Sequence, residues 1–302
     1  MQKKVFVVIV HYKGISDTIA CIRSVDANIL KDSTLEIIVV DNGSPEKLST
    51  LPKTRHKSTL LESFVNLGYT GGNNKGIKYA LSLGATYVCL LNNDTLVDRF
   101  FLDKLIKQAE KNDLIGVSVP KIYFAKGYEY HKDRYSNGEL GKILWYGGGV
   151  FDWKNVTSVH KGLDEVDKGQ YDDLSKVEFA SGCAMLVKSE VFKNIGMFDS
   201  SYFLYYEDAD FSVRIKNAGY SIVFVPASVV WHKNAGSSGS GSKLHDYYLT
   251  RNRLLFGVKY APLKAKFFLL KQAIELLAKG STWQKIGVRD FFMHKLGKGS
   301  YE

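Results

Sequence analysis

Cysteine is scarce in this chain of 302 residues, and no apolar run is long enough to cross a membrane. The three cysteines, Cys21, Cys89 and Cys183, are odd in number and widely spaced. This excludes a disulfide framework and a zinc-finger pattern, and it favours a reducing compartment. The N-terminal apolar run Val5–Val10 is too short for a signal peptide and lacks a small-residue cleavage site. We therefore expect a cytoplasmic protein.

Acidic residues are scarce in the C-terminal part of the chain. Residues 243–298 hold twelve Lys and Arg against three Asp and Glu, a local charge of +9 out of +10 for the whole chain. Such a basic region predicts an anionic partner such as lipid, a polyanion or a diphosphate. The segment Pro262–Lys279 interleaves its lysines with large apolar residues at helical spacing, which suits a membrane surface better than nucleic acid. Peripheral membrane contact through 261–298 and simple packing on the main domain both remain open.

The rest of the chain alternates apolar runs with helical patterns. Continuous β-branched runs predict strands that are buried on both faces, and the alternation predicts an α/β fold with a mostly parallel sheet. The central strands are expected at Val5–Val10, Leu35–Val40, Thr59–Phe64, Thr86–Leu91 and Ile115–Pro120. Helices are expected after the glycine-rich stretch Asn66–Asn73 and at Phe211–Ala218.

Polar side chains follow several of these strands. Asp41 and Asp94 come directly after apolar runs, and His232 ends the run Val229–Trp231. Because ligands bind at the carboxyl ends of parallel strands, we expect Asp41, the glycine-rich stretch Asn66–Asn73 and Asp94 on one rim of the sheet, and His232 ends a further strand. Each also has a structural interpretation: Asp41 as a turn former, Asp94 as a helix cap and His232 as a core histidine.

The densest group of acids is Glu207-Asp208-Ala209-Asp210, which aromatic residues surround. Apolar surroundings raise the pKa of a carboxyl group and suit it to general-base work. Acids in the first turn of a helix also complement the helix dipole, so a capping role is the alternative. The residues alone favour the capping role and leave open which carboxylate would act as a base, and Asp210 is the acid nearest the helix pattern.

Taken in order, these segments resemble family 2 inverting glycosyltransferases of the GT-A fold, and within them the rhamnosyltransferase-like enzymes. The resemblance runs from Val5 to about Phe256. It rests on the segments Ile38–Ser44, Asn66–Asn73, Leu90–Asp94, Ala180–Leu186 and Glu207–Asp210.

The resemblance implies a role for each matching residue. Asp208 would be the general base, and Glu207 would orient the base or the acceptor. Asp94 and His232 would hold Mg²⁺ or Mn²⁺ at the donor diphosphate. The donor-binding set comprises His11, Tyr12, Asp41, Asn66, Gly68, Gly72, Asn73, Asn93, Asp94 and Arg251. The family's metal motif usually carries two acids, whereas Asn92 and Asn93 precede Asp94 here, so we expect little metal binding without nucleotide.

The implied fold is a Rossmann-like, mixed and mostly parallel sheet flanked by helices. Residues 1–120 would bind the nucleotide sugar, 121–240 the acceptor, and 241–302 would form a helical extension. The implied activity moves L-rhamnose from dTDP-rhamnose to a glycan or lipid-linked acceptor in cell-surface polysaccharide synthesis.

Other functions remain open or are excluded. A UDP-sugar-dependent glucosyl, galactosyl or galactofuranosyl transferase and a non-catalytic nucleotide-sugar-binding protein remain alternatives. A dehydrogenase is excluded because His11–Gly14 stands where G-x-G-x-x-G would follow the first strand. A processive synthase is disfavoured because the chain lacks Gln-x-x-Arg-Trp and membrane helices.

Overall fold

The apolar runs form the predicted central strands in the computed structural model, which describes residues 2–233 and 242–301. The Val, Ile and Leu side chains of these runs are mostly buried, except in the run Thr59–Phe64, where Leu60 and Leu61 are partly exposed and Phe64 lies in solvent beyond the strand. The strands are β1 (Lys3–His11), β2 (Ser33–Asn42), β3 (Lys57–Ser63), β4 (Tyr87–Asn92), β5 (Thr95–Val97), β6 (Ile115–Phe124), β7 (Leu144–Tyr146), β8 (Gly149–Asp152), β9 (Thr157–His160), β10 (Ser175–Val177), β11 (Ala184–Lys188) and β12 (Ser221–His232).

The main sheet is mixed and mostly parallel, as expected. Its order is β10-β12-β6-β11-β4-β1-β2-β3, with β5 paired to β12 and β7 to β6. β11 is antiparallel to both of its neighbours, whereas β1 to β4 are mutually parallel and β12 is parallel to β6. β8 and β9 form a separate antiparallel pair.

Helices cover the sheet and complete the α/β fold. They are α1 (Ile15–Asp26), α2 (Gly68–Ser82), α3 (Phe101–Ala109), α4 (Ser189–Ile195), α5 (Glu207–Asn217), α6 (Lys243–Tyr260), α7 (Leu263–Lys279) and α8 (Thr282–Phe292). In the described residues, none of these helices combines the length and the apolar character needed to cross a membrane.

Two helices begin earlier than the sequence indicates. α5 begins at Glu207 rather than Phe211, so the acidic group forms its first turn. α2 begins at Gly68, inside the stretch that predicted a loop. Glycine is favoured there because the helix backbone packs directly on the sheet: a Cβ at Gly76 would lie 2.3 Å from Val8 Cγ1.

The C-terminal helices contact the rest of the chain through buried side chains. Tyr247, Tyr248 and Arg251 of α6 are fully buried, and α8 packs closely on α6 beside Tyr247. The predicted division at residue 240 falls within 234–241, outside the described residues.

α7 has one covered face and one uncovered face. Ala265, Leu269 and Ala273 are buried, whereas Phe267 and Ile274 are largely exposed. The helix therefore packs on the main domain through its smaller side chains and leaves its larger apolar side chains in solvent.

Candidate active site

The candidate site lies along one edge of the main sheet. β1 to β4, β6 and β12 point in the same direction, so their carboxyl ends meet at this edge, and the antiparallel β11 begins there. His11, Asp41 and His232 are at or next to the last residues of their strands, and Asp94 follows β4. The topology thus brings these predicted residues to one rim.

Asp208, in the first turn of α5, is held by two backbone N–H groups. Gly182 N donates to its Oδ2 at 2.9 Å and Ala209 N donates to its Oδ1 at 2.9 Å. Burial raises the pKa of Asp208 to about 6, against the lowering effect of these two hydrogen bonds. A carboxylate with this pKa is ionised at neutral pH and basic enough to accept a proton from a hydroxyl group.

Glu207, the neighbour of Asp208, is only 4% exposed. Its Oε2 is buried without a hydrogen-bond partner. Burial and the charge of Asp208 raise the pKa of Glu207 well above its ordinary value. These surroundings favour the protonated form of Glu207, in which its carboxyl group can donate a hydrogen bond.

Protonation of Glu207 makes the stability of the protein depend on pH. Below the pKa of Glu in the unfolded chain, about 4.3, Glu207 is protonated in both states and its burial does not change the stability with pH. Above that pH, Glu207 ionises more readily in the unfolded chain than in the folded protein, so the folded state becomes less stable as pH rises. We expect Glu207→Gln to leave the Tm almost unchanged at pH 4 and to raise it by a few degrees at pH 8, as measured by scanning calorimetry.

The matched control is Glu190→Gln, an exposed acid in the first turn of α4. Because an ionised acid at a helix start is stabilising, this variant should lower the Tm slightly at pH 8. Equal effects of the two substitutions at pH 8 would contradict a protonated Glu207.

Backbone strain precedes the acid group. Tyr205 and Tyr206 both have left-handed φ angles, 67° and 71°, which are uncommon for large residues. Asn252 of α6 holds this turn, since its Nδ2 donates to the carbonyls of Leu204 and Tyr205 at 2.8 and 2.9 Å. α6 thus fixes the position from which Glu207 and Asp208 project.

Asp94 and His232 form the second part of the site. His232 Nε2 lies 3.1 Å from Asp94 Oδ1, and the buried Nδ1 has no hydrogen-bond partner. Burial opposes protonation of His232, but the adjacent Cys183 and Asp94 outweigh it and raise the pKa of His232 well above its ordinary value. Burial raises the pKa of the Cys183 thiol and keeps it neutral. The negative charge that stabilises protonated His232 is therefore that of Asp94.

A divalent cation at these two side chains would need further ligands from a bound substrate. Among the described residues, no group of three or more His, Cys, Asp or Glu is arranged to hold a metal. Asp94 supplies carboxylate oxygens, and His232 supplies a ring nitrogen at the same place once a bound cation displaces its proton. Mg²⁺ and its relatives are commonly held by one or two carboxylates together with substrate phosphates. The pair fits an ion that arrives with a diphosphate.

The short segment before β11 joins the two parts of the site. Gly182 contacts Asp208 through its N–H, and the Cys183 carbonyl accepts from Asn92 N at 2.9 Å beside Asp94. The Tyr69 hydroxyl donates to the Gly182 carbonyl. The acid of α5 and the Asp94–His232 pair therefore flank two consecutive residues.

Several predicted donor-binding residues already form hydrogen bonds within the protein. Asp41 accepts from Ser44 N and Leu48 N with its two oxygens, at 2.9 and 3.0 Å. Both ring nitrogens of His11 are bonded, to Thr18 Oγ1 and to the Glu46 carbonyl. These residues shape the turns at the rim, and a donor would share oxygens that Asp41 already uses.

Two further predicted residues lie at the same rim. Asn93 Nδ2 donates to the Lys13 carbonyl and to Thr18 Oγ1, both at 2.9 Å. Tyr12, between these turns, is 37% exposed. Of the predicted donor-binding residues at the end of β1, His11 is buried and Tyr12 is exposed.

The predicted residues of the glycine-rich stretch organise the start of α2. Asn66 Oδ1 accepts from Gly68 N at 2.8 Å, and Asn73 Nδ2 donates to the Tyr69 carbonyl at 2.9 Å. Gly68 has a φ of 72°, and a Cβ there would lie 2.2 Å from the Phe203 carbonyl oxygen. A Cβ at Gly72 would lie 2.8 Å from Val10 Cγ1. The absent side chain of Gly68 lets α2 reach the segment before α5, and that of Gly72 lets it pack on β1.

Arg251 stands apart from the rim. It is fully buried, and its guanidinium donates to the carbonyls of Lys295 and Ser201 at 3.3 and 3.5 Å and stacks on Tyr247 and Tyr248. In this position Arg251 supports the C-terminal helices. A contact with the donor would require it to leave these bonds.

The structure adds residues that the sequence did not single out. Tyr69 and Asn252 position Gly182 and the α5 turn, and Lys259 of α6 binds Asp210. Nothing local marks Asn252 or Lys259, because both act on residues far away in the chain. Tyr69 lies within the glycine-rich stretch, whose dense pattern was its only signal.

Curated relatives are similar over most of the chain. A low-salt glycan biosynthesis hexosyltransferase, Agl10 of Haloferax volcanii, is 27% identical over 72% of this chain and 62% of its own, so the chain spans less than two thirds of that relative. An N-acetylglucosaminyl-diphospho-decaprenol L-rhamnosyltransferase of Mycobacterium tuberculosis is 25% identical over 72% of this chain and 73% of its own. The dTDP-rhamnosyl transferase RfbF of Shigella flexneri is 26% identical over 78% and 75%.

Solved structures share the fold at low identity. GalNAc-T7 with UDP, GalNAc and Mn²⁺ has a TM-score of 0.63 and 17% identity over 97% of this chain and 57% of its own. The mannosyltransferase PcManGT of Pyrobaculum calidifontis with GDP-Man and Mn²⁺ has a TM-score of 0.53 and 15% identity over 93% and 77%. Both are glycosyltransferases of the GT-A fold, which confirms the predicted fold class.

The family comparison covers more than half of the chain. Residues 6–196 match the family described as glycosyl transferase family 2, a span that includes β1 to β11 and most of the rim. With the rhamnosyltransferases among its relatives, the chain belongs to glycosyl transferase family 2 and is rhamnosyltransferase-like.

Proposed function

We propose that this protein is an inverting, metal-dependent glycosyltransferase in which Asp208 is the general base. The observation that carries the proposal is the placement of Asp208 and the Asp94–His232 pair on either side of Gly182–Cys183. A sugar transfer needs a base at the acceptor hydroxyl and a counter-charge at the leaving diphosphate, and these two groups supply both.

The chemistry divides between the two groups. Asp208 accepts the proton of the acceptor hydroxyl while that oxygen bonds to the anomeric carbon from the face opposite the leaving group. The bond from the anomeric carbon to the diphosphate oxygen breaks, its electron pair stays on the diphosphate, and the configuration inverts. Asp94 and His232 would hold Mg²⁺ or Mn²⁺, which supplies positive charge to the diphosphate when bound. Protonated Glu207 would orient Asp208 or the acceptor by donating a hydrogen bond.

The donor that we propose is dTDP-L-rhamnose. The support is the rhamnosyltransferases among the relatives, one named for dTDP-rhamnosyl transfer and one for an acceptor linked through diphosphate to decaprenol. The acceptor class is accordingly a glycan or lipid-linked saccharide, and the pathway is synthesis of a cell-surface polysaccharide by an enzyme on the cytoplasmic side.

Thermal unfolding with a panel of nucleotide sugars tests the donor. A ligand at a hundred times its Kd stabilises the folded state by about 2.7 kcal/mol, which shifts the Tm by several degrees. We expect dTDP-L-rhamnose with Mn²⁺ to give the largest shift, with UDP-glucose, UDP-galactose and GDP-mannose smaller. Mn²⁺ alone should give almost none, because in the described part of the chain Asp94 and His232 are not joined by a third His, Cys, Asp or Glu that could hold it.

The panel also separates the alternatives. A larger shift with a UDP-sugar would replace the donor and keep the reaction. Protection by a donor without transfer to any lipid-linked acceptor would favour a nucleotide-sugar-binding protein. A large shift with Mn²⁺ alone would contradict the shared metal site.

A further inference from the structure

The outward face of α7 carries a continuous apolar stripe. Its members follow one another at alternating steps of four and three residues, which places them on one side of a helix. They are Leu263, Phe267, Leu270, Ile274 and Leu277, with exposed fractions of 85%, 68%, 37%, 67% and 44%. Isolated apolar residues on a surface need no explanation, but a row along four turns of one helix does.

The stripe is directed away from the body of the protein. Ala265, Leu269 and Ala273 lie on a different side of α7, roughly 120° around the helix from the stripe, and are buried. Leu269 contacts α6 so closely that a Cβ at Gly257 would lie 2.3 Å from its Cδ2. α7 is thus fixed by one face, and its apolar face is presented to whatever lies outside.

Lysines border the stripe on both sides. At 100° per residue, Lys264 and Lys271 lie along one border and Lys266 along the other. Glu275 is the single acid of α7, and no lysine of this helix makes an ion pair within residues 2–233 and 242–301. The face is apolar at its centre and positive at its borders.

We propose that this face of α7 lies on an anionic lipid surface, with the stripe in the region between headgroups and acyl chains and the lysines at the headgroups. A helix in this orientation matches its apolar side to lipid and its cationic borders to anionic headgroups. A second copy of the chain fits less well, since a symmetric pair of stripes would set lysine borders against each other. Nucleic acid would leave Phe267 and Ile274 exposed.

The docked face connects to the candidate site through one helix. α7 packs on α6, and α6 holds the start of α5 through Asn252 and binds Asp210 through Lys259. Membrane docking would therefore orient the acid group relative to the lipid surface. This consequence rests on the proposed transfer to a lipid-linked acceptor, whereas the binding itself does not.

Flotation of the full chain with vesicles tests the proposal. The probes are vesicles of phosphatidylcholine alone and of phosphatidylcholine with phosphatidylglycerol. We expect binding to the anionic vesicles only, a loss of tenfold or more for Phe267→Ser with Ile274→Ser, and a comparable loss for Lys264→Gln, Lys266→Gln and Lys271→Gln combined. These side chains are exposed, except for the partly exposed Lys266, so the Tm should stay almost unchanged.

Matched controls distinguish binding through this face of α7 from nonspecific hydrophobic or electrostatic binding by the rest of the surface. Leu114→Ser removes an exposed leucine elsewhere, and Lys31→Gln with Lys53→Gln removes charge elsewhere. Both should bind as the parent chain does. Equal losses in controls and α7 variants, or no binding by the parent chain, would overturn the proposal.

Two further measurements identify the occupant and keep this test separate from the proposed function. A parent dimer that Phe267→Ser with Ile274→Ser converts to a monomer, without vesicle binding, would assign the stripe to a second copy and overturn the proposal. Protection by nucleotide sugars is measured on the same variants. If a variant no longer binds vesicles but is still protected by the donor, the result tests the α7 proposal alone. If it still binds vesicles but is no longer protected by the donor, the result tests the catalytic proposal alone.

Discussion

Asp208→Asn is expected to reduce the turnover of sugar transfer by about 10²–10⁴-fold, the range that a positioned general base contributes. The amide oxygen of Asn can still accept the hydrogen bond from Gly182 N, so the fold and donor binding should persist. The measurement is the steady-state rate of transfer, together with protection against thermal unfolding by the donor. The rate should fall while the protection stays.

The control is Asp98→Asn, an acid near the start of α3 and outside the rim, which should leave the rate within twofold. Turnover by Asp208→Asn within tenfold of the parent enzyme would remove Asp208 as the base. A large loss confined to Glu207→Gln would transfer that role to its neighbour.

The pH dependence of the parent enzyme gives an independent reading of the same residue. A general base works only when ionised, and burial raises the pKa of Asp208 to about 6. We therefore expect kcat/KM to be constant above this pH and to fall tenfold per pH unit below it. Asp208→Asn should lose this limb along with its activity.

The rim of the site was predictable because it follows from strand direction. Continuous Val and Ile runs mark buried strands, and polar residues after them must meet at one edge. Asp41 and Asp94 were expected at one rim for this reason. The family resemblance placed His232 with Asp94, and the two side chains lie 3.1 Å apart. The antiparallel β11 brings Gly182 to the same edge, which no local pattern required.

The starts of α2 and α5 were not predictable by the same reasoning. Glycine has a poor helix propensity, yet α2 contains Gly68, Gly72 and Gly76 because close packing on β1 and on Phe203 leaves no space for a side chain. Asn252 and Lys259 bind groups 48 and 49 residues away in the chain. Such contacts depend on tertiary packing, which a single sequence does not display.

The last acid of the group, Asp210, has different surroundings from those of Asp208, which accepts from backbone N–H groups. Asp210 is fully buried and its two oxygens accept from three donors. These are Arg214 Nε at 2.7 Å, Lys259 Nζ at 2.5 Å and the Tyr260 hydroxyl at 2.7 Å. Arg214 in turn donates to the carbonyls of Ile195 and Met197, both at 2.8 Å. Asp210 thus ties α5 to α6 and to the end of α4.

Asp210→Ala is accordingly expected to lower the free energy of unfolding by about 3–5 kcal/mol, because it removes the buried anion and leaves Arg214 and Lys259 without it. For a chain of this size the Tm should fall by roughly 10 °C. Asp199→Ala is the matched control, since Asp199 accepts from the same Lys259 at 3.2 Å but its side chain is 32% exposed. Its partly solvated ion pair should contribute at most about 1 kcal/mol. Equal losses of stability in the two variants would contradict a buried structural role for Asp210.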